Sequence, residues 1–238
     1  MLKLCVIGDP VAHSLSPMLH REMLQKAGIE GSYEAVTVKA GELADFVKKA
    51  KVGTYDGFNV TMPHKESIIP LLDELAPSAR EMGAVNTVVV RQGRAIGYNT
   101  DGDGLVRSLP ELPKKAVVLG NGGAAKAVSR ALRQSGVEVA ICARHPAGEQ
   151  ISWCEIKNAV ADCDLLVNAT CLGMAGKEQF ADFDFLKCLP KNAVVYDLVY
   201  EPRKTKLLRE AEMLCHPTIE GFTLLKSQAE LAFTIFTT

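Results

Sequence analysis

The chain has 238 residues and a formal net charge of −1, from 27 Lys and Arg against 28 Asp and Glu. This balance, without any block of basic residues, excludes the charge pattern of a nucleic-acid-binding protein. The sequence has no apolar run of membrane-spanning length. Seven cysteines without a Cys-x-x-Cys pair favour reduced, buried thiols in a cytoplasmic protein, and they predict no metal site.

The first hundred residues alternate predicted strands and helices, which is typical of an α/β domain. The apolar N-terminal run is too short for a signal peptide and predicts a strand. Ser16 is predicted to cap a helix in which Pro17 is the first residue, and Gly28 should end it. The predicted strands cover 4–8, 33–38 and 58–61, with helices over 41–51 and 65–75, the second broken near Pro70, and a hairpin of 85–90 with 95–98.

Two serines lie where the first predicted helix begins. Ser14 and Ser16 offer hydroxyl groups beside the free N–H groups of a helix N-terminus, which together suit an anion such as a carboxylate. The alternative is that both serines only cap the helix. Both roles remain open at this point for Ser16, whereas ligand binding is favoured for Ser14.

The stretch from Asn59 to Lys65 holds an amide, a hydroxyl, an imidazole and an ammonium within seven positions. Pro63 has no N–H to give to a sheet and should end the strand, so the polar groups lie at a strand end, where α/β proteins place their sites. A lysine with a tuned pKa can give a proton to an alkoxide forming from a carbonyl. We therefore predict Lys65 as proton donor and Asp101 as its partner. The alternative for Asp101 is a turn residue of Asp-Gly-Asp-Gly.

The second half of the chain begins after a boundary that we place between 101 and 113. A predicted strand over 116–119 leads into a glycine-rich turn and then a helix that ends near 135–136. This context is that of a dinucleotide-binding motif, in which glycines let backbone N–H groups approach a pyrophosphate at a helix N-terminus. The predicted cofactor contacts in this turn are Gly120, Asn121, Gly122, Gly123 and Ala124.

Arg144 follows the second strand of this half, predicted over 138–142. An NAD-selective site usually has Asp or Glu at this place to bind the ribose 2′-hydroxyl, whereas an arginine accommodates a 2′-phosphate. Arg144 therefore predicts NADP as the cofactor. The alternative is a solvated loop charge.

Two further predicted strands, 165–170 and 194–198, end in polar residues, and helices predicted over 205–214 and 221–236 complete the chain. Gln228 of the last helix is a candidate to point into a cleft. The residues alone thus predict a two-domain α/β enzyme, in which one domain binds a dinucleotide and the other supplies polar groups to the reacting centre.

Eight stretches of the sequence match motifs of one known family. They are 8–17 with His20, 57–65, 83–87, 99–104, 120–127, 168–174, 196–202 and 221–228. Through them the chain resembles the shikimate dehydrogenases over nearly its whole length. The resemblance implies reversible, NADPH-dependent reduction of 3-dehydroshikimate to shikimate, a step in the biosynthesis of chorismate and the aromatic amino acids.

The resemblance also implies domain bounds and residue roles. It implies an α/β substrate-binding domain over 1–101, a Rossmann-like NADP domain over 102–218, and a C-terminal helix over 219–238 that packs back on the first domain. Lys65 and Asp101 would form the catalytic pair. The implied substrate contacts are Ser14, Ser16, Asn59, Thr61, Asn86, Tyr200 and Gln228. The further cofactor contacts implied are Arg144, Asn168, Thr170, Met174, Leu198 and Gly221.

Two alternative functions remain open. A quinate/shikimate dehydrogenase that accepts NAD would use the same scaffold, although the absence of an acidic residue after Cys142 argues against it. A regulatory protein that senses NADP without turnover would have no need of both Lys65 and Asp101. The expected partner is a small-molecule substrate, with neither nucleic acid nor membrane, and we expect a monomer or a homodimer.

Overall fold

The computed structural model describes residues 1–238, which divide into two compact units. One unit consists of Met1–Thr100 with Gln228–Thr238, and the other of Asp101–Ser227. The sequence predicts boundaries at 101/102 and 218/219. In the structure the first boundary lies one residue earlier, at 100/101, and the second lies at 227/228, inside the last helix. Each unit contains a sheet with helices, and the predicted α/β class is confirmed.

The first unit contains a six-stranded sheet in the order β2-β1-β3-β5-β6-β4. Its strands β1 to β6 are Leu2–Gly8, Gly31–Thr37, Gly57–Val60, Glu74–Leu75, Thr87–Arg91 and Arg94–Tyr98. Its helices α1 to α4 are Ser16–Ala27, Leu43–Lys49, His64–Ser67 and Pro77–Met82. Because β1 lies parallel to both β2 and β3, the loops that follow β1 and β3 leave the sheet at the same edge.

The central strand β1 is buried from Leu4 to Gly8, which is typical of a strand covered on both faces. On one face, Leu4 packs in a cluster with Tyr33 and with Phe236 near the C-terminus. Gly57 in β3 makes room for this packing, because a Cβ at that position would lie 2.7 Å from Cδ1 of Phe236. Burial of this apolar surface stabilises the unit by about 25 cal/mol per Å².

Two predicted helices of the first unit are wrong in part. Ser16 is the first residue of α1 and not its cap, because Leu15 holds the N-cap position. The helix predicted over 65–75 ends after α3, and Pro70, which has no N–H to donate, lies in a short 3-10 turn. Residues 74–75 form β4, which pairs in parallel with β6. Only this pairing with a strand distant in sequence reveals β4, so no local pattern could predict it.

His20 is almost completely buried in the first unit, 1% exposed, and its Nδ1 atom has no hydrogen-bond partner. Its ring stacks on Tyr33 with 4.3 Å between centroids and also contacts Phe233 and Phe236. Burial lowers the pKa of His20 to about 3. The imidazole therefore stays neutral in the folded chain at pH values where an unfolded histidine, with a pKa of about 6.5, takes up a proton.

We expect this difference in the His20 pKa between the folded and the unfolded chain to make the free energy of unfolding depend on pH. Above pH 6.5 the contribution of neutral His20 is fully present, and it is lost as pH falls toward 3, because only the unfolded chain binds the proton. Between pH 7 and pH 5 the loss is about 2 kcal/mol of unfolding free energy. Urea titrations at both pH values should show that His20→Phe removes this loss, whereas His145→Gln, at an exposed position, retains it. Equal losses in wild type and His20→Phe would contradict the prediction.

The second unit contains a six-stranded sheet in the order β12-β11-β10-β7-β8-β9. Its strands β7 to β12 are Lys115–Leu119, Glu138–Ala143, Ile151–Ser152, Leu165–Asn168, Val194–Asp197 and Thr218–Ile219. The helices α5 to α9 are Asp101–Ser108, Gly123–Gln134, Ile156–Ala159, Lys206–Met213 and Gly221–Thr237, the last of which continues into the first unit. All neighbouring strands are parallel, and read from β9 the order is the 3-2-1-4-5-6 order of a Rossmann fold.

Helix α5 is the main element of this unit that the sequence analysis did not predict. It begins at Asp101, where the sequence Asp-Gly-Asp-Gly favours a turn, because glycine inside a helix costs about 1 kcal/mol relative to alanine. Gly102 and Gly104 are buried, and α5 packs against α6. Tertiary packing therefore overrides the local preference.

None of the helices combines the length and the apolar character that a membrane span requires.

Candidate active site

The predicted substrate residues of the first unit lie at one edge of its sheet. Thr61 directly follows β3, and its N–H donates to the carbonyl of Ile7 at the end of β1. Ser14 lies in the loop that follows β1. Asn86 precedes β5, which runs antiparallel to β3, so its carbonyl accepts from the N–H of Val60 at the same edge. Strand directions thus bring together polar groups that are far apart in the sequence.

The loops after β1 and β3 pass each other closely beside Gly8. A Cβ at this position would lie 2.5 Å from Cγ2 of Thr61 and 2.9 Å from the carbonyl oxygen of Met62. Beside this crossing, Ser14 Oγ accepts a hydrogen bond from the N–H of Ser16 at 3.2 Å. Ser16 itself is 8% exposed, and the N-cap residue before it, Leu15, makes no side-chain cap hydrogen bond. Both hydroxyl groups therefore lie at the beginning of a twelve-residue helix.

The side-chain amide of Asn59 makes three hydrogen bonds. Its Oδ1 accepts from the buried Tyr33 hydroxyl at 2.7 Å, and its Nδ2 donates to Asn86 O and to Thr87 Oγ1, both at 3.0 Å. Both N–H donors of the amide are therefore used within the protein. Burial raises the pKa of Tyr33 well above its usual value, so this hydroxyl stays a donor.

A second amide network joins Asn86 to the C-terminal helix. Asn86 Oδ1 accepts from the N–H of Thr100 at 2.9 Å, and Asn86 Nδ2 lies 3.0 Å from Thr100 Oγ1. Thr100 Oγ1 in turn donates to Oε1 of Gln228 at 3.4 Å. The structure thus brings Asn59, Asn86 and Gln228 into one hydrogen-bonded group within the first unit.

Lys65 lies in α3 on a backbone that is fixed from two directions. The imidazole Nε2 of the buried neighbour His64 lies 2.6 Å from the carbonyl oxygen of Val38. The carbonyl of Lys65 accepts from the N–H of Val85 at 2.8 Å. The Lys65 side chain is half-buried. Asp101, its predicted partner, is the first residue of α5 and belongs to the second unit, directly after Thr100 in the chain.

The glycine-rich turn of the second unit leaves space at the beginning of α6. Gly120 has a φ of 104°, a left-handed conformation that favours glycine, and a Cβ there would lie 3.0 Å from Cγ2 of Thr170. No atom lies within 4 Å of a Cβ built at Gly122 or Gly123, and no side chain caps α6. Because the first N–H groups of a helix have no partner within it, this turn presents free donors to an anion.

A cavity of about 510 Å³ lies beside this turn. Its walls include Gly120 to Gly122, Arg144 after β8, the loop after β10, and Trp153, the only tryptophan of the chain. Asn121 Nδ2 donates to the carbonyl of His145 at 3.0 Å and so ties the turn to the Arg144 loop. Arg144 Nη1 lies 3.2 Å from Oε2 of Glu178. The residues fit an anionic dinucleotide, since glycine amides and an arginine meet in one cavity.

Hydrogen bonds of the buried Asn168 side chain hold the loop after β10 in place. Asn168 is fully buried, and its Oδ1 accepts from the hydroxyl of Thr170 at 2.7 Å while its Nδ2 donates to Asp197 Oδ1 at 2.8 Å. Burial raises the pKa of Asp197 despite these donors. Asn168 therefore supports the cavity wall through Thr170, and its direct contact with the cofactor stays a prediction.

The remaining predicted residues of this unit lie around the loop after β11. Gly221 starts α9, and a Cβ there would lie 2.5 Å from the carbonyl oxygen of Leu198, so only glycine permits this approach. Tyr200 is half-buried in the same loop. Met174 lines a separate cavity of about 690 Å³ together with Pro202 and is not a lining residue of the cavity at the glycine turn.

Comparisons with known proteins assign the family. Residues 6–88 match the model of the shikimate dehydrogenase substrate binding domain. A shikimate dehydrogenase (NADP(+)) from Methylocella silvestris is 39% identical over an alignment of 247 positions, gaps included, that covers 96% of this chain and 88% of the relative. The chain belongs to the shikimate dehydrogenase family.

Solved structures of similar proteins agree with this family over the whole chain. The shikimate 5-dehydrogenase of Thermus thermophilus, in complex with NADP(H) and shikimate, is 35% identical with a TM-score of 0.88, covering 100% of this chain and 94% of that one. The 5-ketofructose reductase of a Gluconobacter species is 31% identical with a TM-score of 0.89, covering 99% and 92%. The predicted resemblance to shikimate dehydrogenases is confirmed.

Two residues of this member of the shikimate dehydrogenase family contact predicted site residues but could not be predicted from the sequence. Tyr33 holds Asn59, and Glu178 holds Arg144. Their separations from these partners are 26 and 34 residues. A tyrosine within a predicted strand and a glutamate within a polar loop carry no local signal of such contacts. Only strand pairing and the fold of the loop after β10 reveal them.

Proposed function

We propose that this chain is an NADP-dependent shikimate dehydrogenase that catalyses the reversible oxidation of shikimate to 3-dehydroshikimate. The near-full-length relation to a shikimate dehydrogenase (NADP(+)) at 39% identity supports this function. The observation that supports it most directly is the hydrogen-bonded group of Asn59, Asn86 and Gln228 at the sheet edge of the first unit. Amides and hydroxyl groups in such an arrangement suit a ring with several hydroxyl groups. The proposed reaction is a step of chorismate and aromatic amino-acid biosynthesis.

In this proposal the first unit binds the substrate. Ser14 and Ser16, beside the helix N-terminus, bind the carboxylate of the ring. Asn86, Thr61 and Gln228 contact its hydroxyl groups, with Tyr200 of the second unit as a further contact. Asn59, whose N–H donors are already used, acts as an acceptor and holds Asn86 in place.

Lys65 and Asp101 are the proposed catalytic pair. Lys65 gives a proton to the substrate oxygen in the direction of reduction and accepts it in the direction of oxidation. Asp101 accepts a hydrogen bond from the reacting hydroxyl and so orients it toward Lys65. The nicotinamide, when bound, supplies or accepts the hydride.

The second unit holds the cofactor in this proposal. The N–H groups from Gly122 to Ala124 bind the pyrophosphate, and Gly120 and Asn121 shape the turn. Arg144 binds the 2′-phosphate of NADP. Thr170 lies in the cavity wall, and Asn168 contributes by holding that wall. The further proposed cofactor contacts are Met174 in the loop after β10, Leu198 in the loop after β11, and Gly221 at the start of α9.

The first test is the initial rate of nicotinamide reduction by the purified chain, with shikimate or quinate crossed against NADP or NAD. We expect turnover with shikimate and NADP to exceed every other combination. A parallel assay with 5-ketofructose and NADPH tests the activity named for the Gluconobacter protein. Comparable rates with quinate or NAD would favour the quinate/shikimate alternative. Binding of NADP without turnover of any substrate would contradict the proposed enzyme and favour a regulatory protein.

A further inference from the structure

The guanidinium of Arg144 has a partner that comes from another loop. Arg144 Nη1 lies 3.2 Å from Oε2 of Glu178, and both residues line the cavity beside the glycine-rich turn. The two side chains are 66% and 75% exposed, so the pair adds little to stability. Its significance lies in its location. Both charges border the space in which the adenosine ribose lies in a Rossmann domain, at the end of the second strand.

The backbone fixes Glu178 at this place. The carbonyl of Glu178 accepts from the N–H of Gly173 at 2.9 Å, which closes a short loop. Within this loop the N–H of Lys177 donates to the carbonyl of Met174 at 3.0 Å. Gly173 and Gly176 have φ angles of 89° and 75°, which only glycine adopts readily. The carboxylate beside Arg144 is therefore presented by a closed loop, with Lys177 as a neighbouring cation in the same cavity wall.

The charge of Glu178 has opposite consequences for the two nicotinamide cofactors. A 2′-phosphate must compete with this carboxylate for Arg144 and lies beside a like charge, so its binding is weakened. A ribose 2′-hydroxyl can donate to the same carboxylate. An acidic residue usually has this role at the end of the second strand in NAD-selective sites. In this chain that strand is followed by Arg144 and His145, and the acid comes from the loop after β10 instead.

We propose that Glu178 is a specificity-determining residue that lowers the preference of this chain for NADP over NAD. The proposal rests on the proposed function, since it assumes that the cavity binds a nicotinamide dinucleotide. The Glu178 carboxylate pairs with the Arg144 guanidinium and lies beside the 2′ position of a bound cofactor. The difference in affinity between NADP and NAD becomes smaller as a result. The sequence alone, with an arginine after β8 and no acid there, predicts NADP as the cofactor, and the tertiary contact lowers the preference for it.

The test measures cofactor binding without turnover. Trp153 is the only tryptophan and lines the cavity, so quenching of its fluorescence gives dissociation constants for NADP and for NAD without substrate. The variant is Glu178→Gln, which keeps the size of the side chain and removes its charge. The matched control is Glu111→Gln, an exposed acid before β7 and thus at the opposite edge of the sheet.

We expect Glu178→Gln to raise the affinity ratio of NADP over NAD by about fivefold to tenfold at low salt. The gain should shrink at about 0.5 M salt, because exposed charges are screened. Glu111→Gln should keep the wild-type ratio at either salt concentration.

An unchanged ratio in Glu178→Gln, with both cofactors bound, would overturn the role of Glu178 and leave the proposed dehydrogenase intact. An equal change in Glu111→Gln would overturn it as well, since the effect would then be one of net charge. Failure of the wild-type chain to bind either cofactor would overturn both this inference and the proposed function.

Discussion

Replacing Lys65 with alanine is expected to lower kcat for shikimate oxidation by about a hundredfold to ten-thousandfold, the range of a lost general acid–base group. The ammonium is the proposed route for the proton that the substrate hydroxyl loses, and alanine offers no such group. Cofactor binding should be unaffected because the glycine-rich turn and Arg144 belong to the other unit. Steady-state kinetics give kcat, and quenching of Trp153 fluorescence gives the dissociation constant of NADP.

The control for this variant is Lys48→Ala, which removes the same charge from an exposed position in α2. It should retain the wild-type kcat. Lys65→Ala should also remain folded, because the bonds that fix α3 come from the His64 ring and from the backbone of Lys65. Near wild-type turnover by Lys65→Ala, combined with weaker substrate binding, would show that Lys65 only positions the substrate.

Replacing Asp197 with alanine should lower the free energy of unfolding by about 3 kcal/mol, since several buried donors lose their acceptor at once. Asp197 is fully buried at the end of β11. Its Oδ1 accepts from Asn168 and from the N–H of Val199, and its Oδ2 accepts from the hydroxyl of Thr205 at 2.6 Å. Thr205 is also the N-cap of α8. The carboxylate therefore joins the loops after β10 and β11 to the next helix.

Urea unfolding, followed by far-UV circular dichroism, measures this loss. The control is Asp162→Ala, which removes an exposed carboxylate paired with Lys115 at 2.6 Å and should cost less than about 1 kcal/mol. Losses of similar size in the two variants would contradict the proposed importance of the buried network. A loss confined to Asp197→Ala would support the importance of the buried network that also holds Asn168.

Much of the secondary structure is predictable because it depends on local patterns. Apolar runs correctly predict β1, β3 and β7, and the hairpin predicted for 85–90 with 95–98 is confirmed as β5 and β6. The glycine-rich turn before α6 is predictable for the same reason, since its spacing between strand and helix depends on a few adjacent residues. Helix α5 and strand β4 are not predictable in this way, because packing and distant pairing stabilise them against local preference.

The sequence by itself determined the α/β class, the family, and the identity of the polar residues that follow the strands, because each depends on residue type and spacing. Only the tertiary structure decided how those residues are used. It made Ser16 a helical residue instead of a cap, saturated the donors of Asn59 through Asn86 and Thr87, and buried Asn168 against Asp197. It also placed Glu178 on Arg144. The physical reason is that hydrogen bonds and charge pairs form between groups close in space, and chain folding brings together residues that no local pattern connects.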